Sequence, residues 1–342
     1  MARANSVLLI GAFVWISMFG PAVAEEQAWS LEGNWTGVAG DEQSGAIYAL
    51  GPRGKCVELD SAGKVQREIT LPGDTGSLLR LARLAKEEGP SLLTFGVWNA
   101  ELRVYDAKGK HLWNYARETG IDDVWAFDLD GDKLDEVIVG YNGGTGVHVL
   151  DSTGKLLWKS TAIGNVWHVS AGQVLSEKSV QVVTTSAAGK VHIFSSDGKK
   201  QQELDPGCYG SMVRVGKVSP KDETATIFVA GPAIDEGSDP KTLALNAISS
   251  DGAKKWSVEL PAKSTLHIDS AALALGKPWL AVGIRGGQVH VVDVAKGEVI
   301  ASLNSQGPFC EVGWGVGKEG EVPLLLIAGG RRLNAFRVNE AK

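Results

Sequence analysis

The chain has 342 residues, 34 of them basic and 40 acidic, for a net charge of −6 at neutral pH. That balance gives no reason to expect nucleic acid or an anionic membrane surface as a partner. Glycine at 43 residues together with 11 tryptophans suits many short strands joined by tight turns.

In chain order, Arg3 is followed by an apolar run over 7–19, and Ala22-Val23-Ala24 sets small residues at the spacing of a cleavage site before Glu25. This reads as a Sec-type signal peptide, 1–24, removed after Ala24. The run is too short for a comfortable membrane span, and no cysteine follows the site to carry a lipid. The expectation is a secreted or periplasmic monomer without a membrane span after cleavage, with 25–342 forming one domain. Cys56, Cys208 and Cys310 form neither a metal-binding pair nor a disulfide framework; one bridge is compatible with an oxidising compartment, and sequence does not place it.

From Cys56 onward one unit recurs: an alternating strand, an Asp/Ser/Gly turn and a second strand, the pattern of a β-hairpin. It is clearest in "GVHVLDSTGKLLWKS" from Gly146, "KVHIFSSDGKKQQEL" from Lys190 and "QVHVVDVAKGEVIAS" from Gln288. Aligned on Val57, Arg103, His148, His192, Asn246, His290 and Asn334, the steps are 46, 45, 44, 54, 44 and 44 residues. The long step falls in "GPAIDEGSDPKTLAL", where the excess predicts an exposed loop. Two further apolar runs precede each hairpin. Four strands per unit and seven units predict an all-β, seven-bladed β-propeller with four-stranded antiparallel blades. The last unit stops after "RLNAFRVNE", while "EEQAWSLEG" at the mature N-terminus mirrors "GAKKWSVELP". Residues 25–33 are therefore expected to complete the last blade and close the ring. Trp113, Trp158 and Trp256 each lie ten residues beyond the aligned position, which predicts a shared role in packing blade on blade.

The "D-x-x-G-K-x-x-W" turns at Asp106 and Asp151 resemble the repeats of quinoprotein-like propellers, a family that includes pyrroloquinoline quinone dehydrogenases and outer-membrane assembly scaffolds. The resemblance covers most of the mature chain and is degenerate in several units. "FDLDGDKLDEVIVG", from Phe127, packs five acidic side chains into nine residues before turning apolar. Acidic oxygens fall at positions 1, 3, 5 and 9 from Asp128, and Leu134 at position 7 can offer its carbonyl, a spacing that suits a hard cation taking six to eight oxygens. Strands in place of helices, and Val139 at the twelfth position, exclude an EF-hand. The stretch resembles an FG-GAP repeat, which implies a structural calcium ion held by Asp128, Asp130, Asp132, the Leu134 carbonyl and Glu136, away from the propeller axis. Lys133 stands where that family usually has glycine. Asp135 falls outside the ligand spacing and is expected to face outward. A solvated acidic turn is the competing reading.

His148, His192 and His290 share a phase but belong to equivalent strands of different blades, so they are not expected to meet at a metal. The starts of the inner strands converge on the central channel. There Trp125, Trp167, His168, Arg214, His267 and Asp269 form a possible ligand site, against the alternative of water-satisfied channel residues. No nucleophile elbow, zinc-binding His-Glu motif or phosphate loop is present. The functional expectation is a non-catalytic binding or scaffolding module for a protein or carbohydrate ligand. A quinone-dependent dehydrogenase is the main enzymatic alternative. It is weakened because the chain is short for that family and lacks an adjacent cysteine pair, so the quinone is not expected. A polysaccharide-lyase-like propeller enzyme is the further alternative.

Overall fold

The computed structural model describes residues 25–338 apart from 87–88, 235–241, 263–264, 275, 306 and 317–321. Residues 1–24, expected to be a signal peptide, and most of the insertion, 235–241, lie outside the described residues. The strands form seven four-stranded antiparallel sheets. Blades one to six span 37–70, 78–116, 121–160, 166–204, 212–260 and 268–304, each running from an inner to an outer strand in chain order. Blade seven takes three strands from 311–338, and its outer strand is Glu25–Glu32, paired antiparallel with Arg332–Val338 from Glu25↔Val338 to Glu32↔Arg332. The chain's first described strand thus closes its last blade, as the sequence predicts.

The second and third strands are wholly buried in several blades, as in Glu136–Tyr141 with Val147–Leu150, and Trp279–Ile284 with Gln288–Asp293. Outer strands alternate instead; in His111–Ala116 and Lys254–Leu260 half-buried or buried positions alternate with exposed ones. Among the described residues the core divides into seven apolar clusters, one at each blade-to-blade junction. The ring is held by wedges between neighbours rather than by one central core.

At the outer turns, the carboxylates of Asp60, Asp106 and Asp151 each accept backbone N–H groups from residues two and four positions on. That bonding mimics a backbone turn and explains the aspartate of the repeat. The glycine that follows serves the next contact outward. In blade three Gly154 has φ +84°, and a Cβ there would lie 2.6 Å from the Trp113 ring of blade two. The same clasp joins Trp158 to Gly198, Trp256 to Gly297 and, across the closure, Trp29 to Gly63. Each indole N–H also donates to a turn carbonyl of the next blade, at 3.3 Å for Trp113, 2.7 Å for Trp158, 3.1 Å for Trp256 and 3.0 Å for Trp29. The shared phase of these tryptophans therefore reflects a shared rim contact.

Candidate functional site

The inner strands bring four buried charges to the axis. Arg80 Nη1 donates to Glu311 Oε1 at 2.5 Å and Arg80 Nη2 to Asp123 Oδ1 at 3.3 Å. Arg214 Nη1 lies 3.5 Å from Asp123 Oδ2, while its Nε donates to the Ala271 carbonyl at 2.8 Å and its guanidinium lies 4.4 Å from the Trp125 ring centre. Asp123 Oδ2 also takes His168 Nδ1 at 3.1 Å and the Val169 N–H at 3.3 Å. Two arginines and two carboxylates sum to zero, so the plug solvates its own charges in a site that water leaves. A register shift between Ile121 and Asp123 marks a bulge in the inner strand of blade three, the device that re-aims a side chain. It gives neighbouring carboxylates opposite environments. Burial works against ionised Asp123, but Arg214, His168 and Arg80 outweigh it and hold the carboxyl well below the usual range. Burial pushes Asp122 up to about 6 against hydrogen bonds from Asn142 and Trp98. At Glu311 burial wins over Arg80, and the carboxyl is raised.

Of the channel-mouth group expected from sequence, the structure brings Trp125, His168 and Arg214 together around Asp123. Asp269 is set apart with Arg285, whose Nε donates to it at 3.0 Å; His267 Nε2 lies 3.9 Å away. Burial, then Arg285 and His168, push His267 down to about 4. Trp167 packs on Tyr209 with ring centres 5.6 Å apart. Arg80, Asp123 and Glu311 were missed. Their signal is present, since "LLRLA", "IDDVWAF", "MVRVG" and "EVGWG" are short inner strands that each carry charge among apolar residues.

Toward the ends of the inner strands a cavity of about 870 Å³ opens, with Arg80 and Glu311 in its lining and walls that include Trp125, Phe127 and Trp314. Trp125 is the one member of the expected mouth group that lines it. The cavity therefore lies toward the face opposite the strand starts.

The acidic loop follows the inner strand of blade three on this same face. Carboxylate oxygens of Asp128, Asp130 and Glu136 come within 4.8 Å of one another. Gly131 and Lys133 adopt positive φ of +86° and +74°, and the Asp128 carboxylate accepts both their N–H groups at 2.7 and 3.0 Å. Glu136 is buried, accepts the Leu129 N–H at 2.8 Å, and is pushed up to about 7 by burial with Asp130, Asp132 and Asp128 adding to it. A buried carboxylate raised by its neighbours fits a missing positive charge, so this donor set suits a hard cation. Asp132 is outside the three-residue group; its Oδ1 accepts the Leu134 N–H at 2.7 Å. Asp135 does not face outward. It is half-buried on the cavity wall, and its Oδ2 accepts the Arg83 N–H of blade two at 2.6 Å while its own N–H donates to the Arg83 carbonyl at 2.8 Å. Sequence spacing separates Asp135 from the ligands but carries no information about the neighbouring blade that it clips.

The aligned histidines stay apart, as expected. His148 Nδ1 lies 2.8 Å from the Tyr115 hydroxyl, His192 Nε2 3.0 Å from Ser186 Oγ, and His290 Nδ1 2.8 Å from Ser302 Oγ. Burial pushes His148 and His192 down to about 4. All three cysteines are buried free thiols pushed up to about 12 by burial, so the possible bridge is not formed.

The face carrying the strand starts is different. Six large apolar side chains are well exposed among the described residues, and four of them, Val97 (55%), Trp98 (73%), Ile234 (61%) and Phe309 (62%), sit on loops of that face. Trp98 has φ +67°, a conformation costly for a side chain of its size. It is locked there by its N–H donating to the Ile121 carbonyl at 2.7 Å.

Residues 97–264, just under half of the chain, match the family model of the lambda-carrageenase beta-propeller domain. No curated protein matches the chain. Among solved structures, the chain is similar to one in a crystal structure of BBS1N in complex with ARL6DN soaked with mercury. The TM-score is 0.66 at 13% identity, covering 94% of this chain and 99% of that one. The lead-soaked counterpart gives a TM-score of 0.64 at 14% identity with the same coverage. At this identity the likeness concerns the fold: the class of protein is a seven-bladed β-propeller.

Proposed function

We propose that the protein is a secreted or periplasmic, non-catalytic binding or scaffolding propeller that engages its partner through the strand-start face. The observation that carries this reading is the gathering of Val97, Trp98, Ile234 and Phe309 on one face, with Trp98 held exposed in a strained backbone conformation. Val97 and Trp98 on blade two, Ile234 on blade five and Phe309 between blades six and seven give separate apolar anchor points on one face. The large aromatic rings among them are of the kind that carries contact energy, and backbone strain concentrates where it serves function. The axial charges are committed to one another, which favours a structural role for them over acid–base chemistry. The blade-three loop is assigned a structural calcium ion held by Asp128, Asp130 and Glu136, with Asp132 and the Leu134 carbonyl as the further oxygens. The ion's chemistry there is charge neutralisation in a loop that also abuts blade two through Asp135.

One observation favours a carbohydrate as the bound partner. Residues 97–264 match the model of a carrageenase β-propeller domain, and exposed Trp98 lies within that segment. A polysaccharide-degrading propeller enzyme is the corresponding second reading, and the quinone dehydrogenase gains no support. The test immobilises the mature protein and compares wild type with Trp98→Ser/Phe309→Ser for retention of native proteins and of polysaccharides. Loss of retention in the variant with unchanged folding supports the proposal. New reducing ends or ultraviolet-absorbing unsaturated products released from a polysaccharide would replace it with the enzymatic reading. Equal retention by both proteins would remove this face from the account.

A further inference from the structure

The axial cavity lies on the face opposite the exposed apolar loops and has no part in the proposed partner contact. Its volume of about 870 Å³ is in the range that encloses a small organic ligand. Its mouth is charged unevenly. Among the described residues, Asp41, Glu42, Asp128 and Asp135 line it together with a single cation, Arg83. Deeper in, Arg80 and Glu311 neutralise each other in a 2.5 Å pair, so they leave the imbalance unchanged. A calcium ion on the blade-three loop would remove Asp128 from the count and still leave three carboxylates against one guanidinium. The walls behind this mouth carry Trp125, Phe127 and Trp314. Trp125 already holds the Arg214 guanidinium at 4.4 Å, so the wall left to a ligand cation is that of Phe127 and Trp314.

We propose that this cavity binds a small organic cation, an amine of the diamine or polyamine class, drawn in by the carboxylate mouth and seated against the aromatic wall. Attraction between ammonium and carboxylate is strengthened where low-dielectric walls focus the field, and aromatic faces add cation–π stabilisation. Crowding at the mouth points the same way. Burial, with Asp41 and Asp135 adding to it, raises the Glu42 carboxyl despite Arg83, and an entering cation relieves that crowding. The same charge pattern disfavours polyanions, including sulfated polysaccharides, at this site.

The experiment is calorimetric titration of the mature protein with spermidine, with triethylene glycol as an uncharged probe of similar shape and citrate as an anion. Each titration is run in calcium and in chelator. Saturable spermidine binding that weakens with added salt, with no heat from the glycol or citrate, is the expected result. The double variant Glu42→Gln/Asp41→Asn removes two mouth charges while its amides keep the hydrogen-bonding shape, the Asp41 contact to Ser44 included, and is expected to weaken spermidine about tenfold. Glu298→Gln on the outer rim is expected to leave it unchanged. Equal affinity in the mouth and rim variants would mean that spermidine is held by general surface charge and would overturn the proposal. Absence of spermidine binding to the folded wild type, or binding of citrate instead, would overturn it as well. Because the partner face is untouched by these variants, partner retention succeeds or fails independently.

Discussion

The rim and the axis of this ring solve the same problem, joining one blade to the next, by opposite means. At the rim, tryptophan meets a glycine turn in four junctions, always with an indole N–H donating to the neighbouring turn. At the axis, Arg80, Asp123, Arg214 and Glu311 meet once, from four different blades, with no repeat of the arrangement. The rim contact is modular, and losing one leaves the others in place. The axial contact is shared, and losing one member strands the rest as buried charges. The largest mutational effect is therefore expected at the axis. Asp123→Ala leaves Arg214 and half of the Arg80 fork without a counter-charge, and breaking a buried pair on one side costs about 3–5 kcal/mol. Urea unfolding of the variant measures it. A loss no larger than that of a rim tryptophan would end the distinction between shared and modular joints. The pH dependence has a definite sign. The folded-state Asp123 carboxyl is depressed, so its contribution is present above the ordinary carboxylate value and is lost as pH falls through the lower, folded value.

The acidic loop asks whether a feature local in sequence can approach the axis in energy. Calcium that binds the folded state alone adds about 2.7 kcal/mol at a hundredfold excess over its dissociation constant. Chelation is expected to lower the melting temperature by that measure, and Asp130→Ala or Glu136→Ala to abolish the response. Glu136 is raised to about 7 without the ion. Its negative charge therefore costs the ion-free protein most above that value, and acid relieves the cost. The gain from calcium should be full near pH 8 and fade as pH falls through 7. Identical melting curves in calcium and chelator at pH 8 would leave the loop a solvated turn. Asp135→Ala is expected to keep the calcium response while lowering the baseline, since it breaks the reciprocal bonds to Arg83.

At the rim itself, Trp29→Ala is the sharpest comparison because, of the four clasping tryptophans, Trp29 is the one at the ring closure. A fully buried tryptophan costs about 3–5 kcal/mol on truncation; Trp29 is half-buried, so about 2 kcal/mol is expected. Trp113→Ala removes the same contact within a continuous chain. A closure that depends on Trp29 should make its variant unfold faster than the Trp113 variant at similar equilibrium loss, read from the unfolding limbs of the two chevrons. Equal unfolding rates would mean that closure rests on the strand pairing of Glu25–Glu32 and the apolar cluster between blades seven and one.

The rim was legible in the sequence because everything it needs fits within one hairpin: Asp106, Gly109 and Trp113 recur as Asp151, Gly154 and Trp158, so period and phase expose them together. The closing strand was legible for the same reason, as Trp29 repeats the context of Trp256. The axis was not. Arg80 and Glu311 are 231 residues apart, and nothing near either residue names the other. The bulge that turns Asp123 inward and leaves Asp122 in a different environment also depends on pairing between strands. Asp135 shows the same limit at short range, since its partner Arg83 belongs to another blade. The apolar face escaped notice because Trp98 and Phe309 fall in loops that share neither period nor length.

Trp98 carries the smallest and most discriminating prediction. A non-glycine residue in the left-handed region costs roughly 1–2 kcal/mol, and glycine at 98 escapes that cost but adds entropy to the unfolded chain. The ring itself is 73% exposed, so its removal forfeits little packing, but it gives up the side-chain hydrogen bond to the Asp122 carboxyl. The N–H bond to the Ile121 carbonyl is retained by glycine. Relief of strain and loss of the Asp122 hydrogen bond are similar in size, about 1 kcal/mol each. Trp98→Gly should therefore leave stability nearly unchanged, in contrast to every rim and axis variant, while weakening retention of the partner on the strand-start face. That combination, stability kept and binding lost, is the signature of strain held for function. Destabilisation by Trp98→Gly with partner retention intact would instead make Trp98 a packing residue of the blade two–blade three junction, and would take the apolar face out of the proposed contact.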